Sequence, residues 1–142
     1  MSDTQRLGVY MHSHTFDLAK SAYLADLDTL PNGPDSFGAW IDAAIAQHAD
    51  LTPAVRATLE RGLDREIRDA RGHSRSFVVG LDTVTKMTAA VIADRRSGRV
   101  LSRGDFVSEA IRAAAERSRR RFGKPLPKAP ARLPNRPPRG TS

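Results

Sequence analysis

His12-Ser13-His14 places two imidazoles one residue apart, which in an extended segment puts both on one face at a spacing that can hold a divalent cation. No third ligand is evident, so the residues read as a polar strand surface and no metal is expected. Ser102-Arg103-Gly104-Asp105 has the form of a capping box, in which the serine oxygen and the aspartate carboxylate each satisfy a free backbone N–H at a helix start. Arg117-Ser118-Arg119-Arg120-Arg121 sits where a helix should end, suiting the helix dipole and offering contacts to phosphate. Carboxylates are plentiful, but no nucleophile has an evident base and there is no glycine-rich phosphate loop. A non-enzymatic protein without a cofactor is expected.

Charge is distributed unevenly around these groups. Residues 1–50 carry a net −5, residues 51–72 a net +1, and residues 73–142 a net +11, within a total of +7. A basic C-terminal half suits a polyanion, most simply nucleic acid, which the acidic N-terminal half would repel. Aromatics make up 6% of the chain, so any core is aliphatic and modest, and the absence of cysteine excludes a disulfide framework and a thiolate metal site. The polar opening residues and the lack of a long apolar run lead us to expect a soluble cytoplasmic protein with no membrane partner, and a nucleic-acid partner for the basic half would make it nucleoid-associated.

Two similar sets of elements could position the candidate groups. Residues 9–15 alternate as a short strand, with Val9 and Met11 on one face and Tyr10, His12 and His14 on the other. Helical spacing follows over 16–30, then a Pro31-Asn32-Gly33-Pro34 turn. A second helix, capped by Asp35 or Ser36, carries Phe37, Trp40, Ile41, Ala44, Ile45 and His48 inward. Thr52-Pro53 starts a connecting helix in which Val55, Leu59, Leu63 and Ile67 recur to Gly72, with Arg56, Glu60, Asp64 and Arg68 on other faces. Extended to Gly72, it would be roughly 28 Å long, enough to return the chain across a small domain.

A second strand is expected at 75–81, with Phe77, Val79 and Leu81 on one face and Ser76, Val78 and Gly80 on the other. A helix capped by Asp82 or Thr83 then turns Val84, Met87, Val91 and Ile92 inward, and another follows Ser102. Residues 123–142, rich in proline and spaced with Lys124, Lys128, Arg132, Arg136 and Arg139, read as an extended, disordered basic tail.

The halves align at an offset of 66 in their second helices: Ser36-Phe37-Gly38-Ala39-Trp40-Ile41-Asp42-Ala43-Ala44-Ile45 lies over Ser102-Arg103-Gly104-Asp105-Phe106-Val107-Ser108-Glu109-Ala110-Ile111. The strands need an offset nearer 68. One strand and two helices in about 50 residues cannot bury a core alone. The strand-helix-helix at 74–122, with its aromatic and Ala-Ile register, resembles the ribbon-helix-helix DNA-binding family, whose strands pair antiparallel across a two-fold and enter the major groove.

The resemblance implies a mainly α fold with a short β ribbon: tandem ribbon-helix-helix units joined by a helix. It divides the chain into an acidic unit at 1–50, a connecting helix at 51–73, a basic unit at 74–122 and the tail. It further implies a double-stranded DNA partner, with the protein acting as a repressor or plasmid partition factor. A second reading is an antitoxin-like protein whose principal partner is another protein; a toxin or a partition ATPase are the partner types implied.

Carried onto this chain, Ser76, Val78 and Gly80 would face the groove, and Ser102, Arg103 and Gly104 would clamp a phosphate. Arg119 and Arg120 would add phosphate contacts, and Tyr10, His12 and His14 would form the outward set of the first unit, ringed by Asp26, Asp28 and Asp35. Val78 and Gly80 are poor base readers, which assigns to Arg75, at the strand entry, the contact that they lack. The two units could pair within one chain as a pseudo-dimer, or each with its copy in a homodimer.

Overall fold

The structure is a computed structural model that describes residues 3–63 and 72–133. It is mainly helical, with one two-stranded antiparallel sheet, in the order β1 (Thr4–His12), α1 (Ser13–Thr29), α2 (Phe37–Ala49), α3 (Pro53–Gly62), β2 (Gly72–Gly80), α4 (Leu81–Arg96) and α5 (Arg103–Phe122). Among the described residues, no helix is long and apolar enough to cross a membrane.

The two strands are partners within the chain. Their register runs unbroken from Thr4 opposite Gly80 to His12 opposite Gly72, with Gly8 opposite Ser76 at the centre. Leu7, Val9 and Met11 alternate inward from β1, as Phe77 and Val79 do from β2. They close over Ala19 and Tyr23 of α1, Trp40, Ile41 and Ile45 of α2, Met87 of α4, and Phe106, Val107 and Ile111 of α5. Trp40 is in the core as its register predicts, and its indole N–H donates to buried Asp26 at 2.8 Å. Neither strand-helix-helix stretch has this core to itself, because each first helix packs on elements of the other half.

Local capping sets the helix starts. Ser36 accepts from Ala39 N at 3.2 Å and Thr52 from Val55 N at 3.2 Å. Ser102 and Asp105 form the reciprocal pair expected of them, at 3.0 and 3.3 Å. Gly123, with φ of 74°, ends α5 in the left-handed conformation that costs glycine least.

Several expectations are overturned. β1 begins at Thr4 rather than residue 9 and ends at His12, so His14 lies in the first turn of α1. β2 occupies 72–80, so Gly72 opens a strand instead of stopping a helix. Leu81 begins α4, which has no side-chain cap of its own from Asp82 or Thr83. Asp42 from α2 serves that end: its carboxylate accepts from Gly80 N at 2.8 Å and from the Thr83 hydroxyl. The expected inward residue Ile92 is exposed, and Ala90 takes the buried position near it.

The connecting helix is reversed in facing. Arg56 is 1% exposed and Glu60 6%, while Val55 and Leu59 stand 44% and 39% exposed. The Arg56 guanidinium reaches Asp94 at 3.0 Å and donates to the carbonyls of His48, Ala49 and Leu51, at and just beyond the C-terminal end of α2. Glu60 meets Arg112 at 2.5 Å. These ion pairs across elements outweigh the apolar stripe in orienting the helix. α3 ends at Gly62; the remainder of the expected helix, including Asp64, Ile67 and Arg68, lies outside the described residues.

Residues 123–133 form neither helix nor strand, and they do not stand away from the body. Lys20 Nζ donates to Pro130 O at 2.9 Å, and Leu126 and Leu133 pack against the core. Arg136 and Arg139 lie outside the described residues.

Candidate nucleic-acid interface

Because side chains alternate along a strand, the register assigns the outer face of the sheet directly. From β1 it presents Thr4, Arg6, Gly8, Tyr10 and His12, and from β2 Ser74, Ser76 and Val78, all exposed. Arg6 lies opposite Val78, Gly8 opposite Ser76, and Tyr10 opposite Ser74. Tyr10 and Val78 are each 56% exposed, which is high for side chains of their size on a sheet. The Tyr10 and His12 rings meet edge to face at 6.0 Å.

The N-termini of α2 and α5 approach the two strands. At Gly104 a Cβ would stand 2.8 Å from the Tyr10 carbonyl oxygen, and at Gly38 3.9 Å from that of Val78. The first residue of α5, Arg103, is exposed and has no ion pair among the described residues. Each helix start brings free N–H groups and the positive end of its dipole toward the sheet, an arrangement that suits phosphate. Asp105 in the capping box moderates this effect at α5.

Of the residues singled out from sequence, Tyr10, His12, Ser76 and Val78 share the outer face, with Ser102, Arg103 and Gly104 beside it. Gly80 continues the register without a bulge, its N–H held by Asp42, and is half-buried at the start of α4. His14 is exposed on α1 and lines, with Tyr10, His12, Arg99, Asp105 and Arg112, a groove of about 720 Å³ running along α5. Among the described residues no group of three or more His, Cys, Asp or Glu could hold a metal.

Arg75 points the other way. It pairs with Val9 on the inner face, and its guanidinium lies 4.0 Å from the centre of the Phe16 ring. Phe16, Phe37 and Phe77 surround that position, with ring centres 5.7 to 6.4 Å apart. Period two puts residue 75 on the side of Phe77, and cation–π attraction replaces water there.

Arg119 and Arg120 are also removed from the sheet. They stand about 24 Å along α5 from Gly104 and share Glu116, at 2.5 and 3.3 Å. Arg121 turns to Asp26 at 3.0 Å, and Arg117 to Gln47 at 2.7 Å. Asp26 is buried by Trp40, Ser118 and Arg121, so it adds nothing to the acidic ring expected around the first strand.

The residue missed from sequence is Arg6. Leu7 continues the period of Val9 and Met11 backward, and extending the strand by that signal brings Arg6 and Gly8 onto the outer face. Ser74 enters likewise once β2 is extended to Gly72. No protein-family model matches the chain, and no curated protein or solved structure was found to be similar to it.

Proposed function

We propose that this protein binds double-stranded DNA as a single-chain ribbon-helix-helix pseudo-dimer, laying the outer face of the β1–β2 ribbon in the major groove and acting as a repressor or partition factor. The observation that carries the reading is the register. β1 and β2 start 68 residues apart, at Thr4 and Gly72, and the central pair, Gly8 and Ser76, is also 68 apart. Equivalent positions thus meet on one pseudo-two-fold axis. α1 and α4 also start 68 apart, and α2 and α5 start 66 apart, at Phe37 and Arg103.

The shape supports the same reading. Two strands about 4.8 Å apart with their side chains fit a major groove roughly 12 Å wide. The helix starts approach the ribbon on opposite strands, closely at Gly104 and at ordinary contact distance at Gly38, where they could hold the phosphates flanking the groove. The basic C-terminal half supplies long-range attraction.

Fluorescence-anisotropy titration against a panel of duplexes tests the proposal. Arg6→Ala and Ser76→Ala should reorder the panel, because they alter groups aimed at bases. Arg103→Ala should weaken binding to every duplex and reduce the salt slope by about one. An unchanged ranking after both strand substitutions would remove the groove-reading claim.

A further inference from the structure

We infer that the DNA site is non-palindromic and is filled by one chain, with Arg6 reading a guanine in one half only. The inference rests on the ribbon reading proposed above. A homodimer presents the same side chain at both members of each symmetry-related pair, and so asks its operator for a palindrome. Here the related positions, 68 residues apart about the Gly8–Ser76 centre, are Thr4 and Gly72, Arg6 and Ser74, Gly8 and Ser76, Tyr10 and Val78, and His12 and Gly80. No pair shares a residue type. The β1 members bring a guanidinium, a phenol and an imidazole; the β2 members bring two serines, a valine and two glycines.

Pairing across the sheet gathers these differences into two unlike halves. On one side of the centre Arg6 lies opposite Val78. An arginine there donates to both acceptors of guanine, and a valine touches a thymine methyl. On the other side Tyr10 lies opposite Ser74, followed by His12, so that half offers hydroxyls and an imidazole, which bond several bases with less discrimination.

The flanking helix starts differ in the same sense. α5 begins with exposed Arg103 and abuts Tyr10; α2 begins at the equivalent position with Phe37, whose ring packs against Phe16 and Phe77, and approaches Val78. The Arg6 half therefore has the stronger base reader and the weaker phosphate clamp. The Tyr10 half has the reverse. Such a surface gives the bound chain one direction on the duplex.

Selection of bound duplexes from a randomised pool by the full chain, with mass measurement of the resulting complex, tests this. The expected consensus lacks dyad symmetry and contains a guanine favoured about tenfold, in a complex of one chain per duplex. In Arg6→Ala that guanine preference should disappear while the other half of the consensus is unchanged. Replacing the β1 face by its β2 equivalents (Thr4→Gly, Arg6→Ser, Gly8→Ser, Tyr10→Val and His12→Gly together) should make the weaker selected site symmetric. A palindromic wild-type consensus, two chains per duplex, or loss of preference in both halves on Arg6→Ala would overturn the inference while leaving DNA binding intact. No enrichment of any sequence would overturn the ribbon reading itself.

Discussion

Gly104 meets the backbone of Tyr10 so closely that a Cβ at residue 104 would stand 2.8 Å from the Tyr10 carbonyl oxygen, while its counterpart Gly38 leaves 3.9 Å to that of Val78. Two glycines, each the second residue of its helix, thus have unequal room. Gly104→Ala should force the start of α5 away from β1 and cost about 1–3 kcal/mol, the usual range for overpacking. Gly38→Ala should be neutral or slightly stabilising, since alanine favours the helix. Urea unfolding of the two variants measures the difference; equal midpoints would contradict the close approach.

Arg56 and Asp94 form a buried pair at 3.0 Å that ties α3 to α4, with Arg99 a further 3.6 Å partner of Asp94. Arg56→Met removes the cation and leaves a buried carboxylate short of its main partner, an effect of about 3–5 kcal/mol. Adding Asp94→Leu should recover part of that loss, because the stranded charge is then gone. A double variant less stable than Arg56→Met would show that the loss lies in packing and not in the unpaired charge. Equilibrium unfolding at neutral pH distinguishes the outcomes.

Glu109 gives the fold an acid-sensitive contribution. Burial pushes its carboxyl pKa up, but hydrogen bonds from His48 at 3.0 Å and Arg99 at 2.5 Å, with their charges, together hold it below the ordinary glutamate value. A carboxyl lowered on folding stabilises fully above its unfolded value, about 4.3, and loses that contribution as pH falls through the folded value. The stability gap between wild type and Glu109→Gln should therefore be widest near neutrality and narrow below about pH 4. Urea unfolding across a pH series measures it, and a gap independent of pH would contradict the coupling.

Residues 123–133 lie on α1 and the core through Lys20–Pro130 and the side chains of Leu126 and Leu133. Deleting 123–142 should lower stability by about 1–2 kcal/mol from lost apolar burial. It should also weaken DNA binding by removing five basic residues, without changing which duplexes are preferred. Binding abolished on all duplexes would favour tail-driven, non-specific association. Titration of the truncated chain against the duplex panel provides the measurement.

Features fixed by neighbours in sequence were legible before the structure. The caps at Ser36, Thr52 and Ser102, the inward face of α2 and the core position of Trp40 all follow from residues within a turn of one another. What failed depended on distant partners. Arg56 and Glu60 are buried because Asp94 and Arg112 await them, and no periodicity in 53–62 encodes those residues. Arg75 turns inward because Phe16, about 60 residues away, provides a ring for its guanidinium. The outer face of the sheet was partly legible: Tyr10, His12, Ser76 and Val78 followed from alternation. Arg6 lay beyond the strand start assigned to residue 9, so it was missed.

The central claim is that the outer ribbon face meets DNA, and amide chemical-shift mapping of the labelled full chain on titration with a duplex tests it most directly. The account predicts that the largest shifts fall on Arg6 to Tyr10, Ser74 to Val78 and the helix starts around Gly38 and Gly104, with α3 unaffected. Shifts confined to residues 117–133, with the ribbon silent, would contradict it.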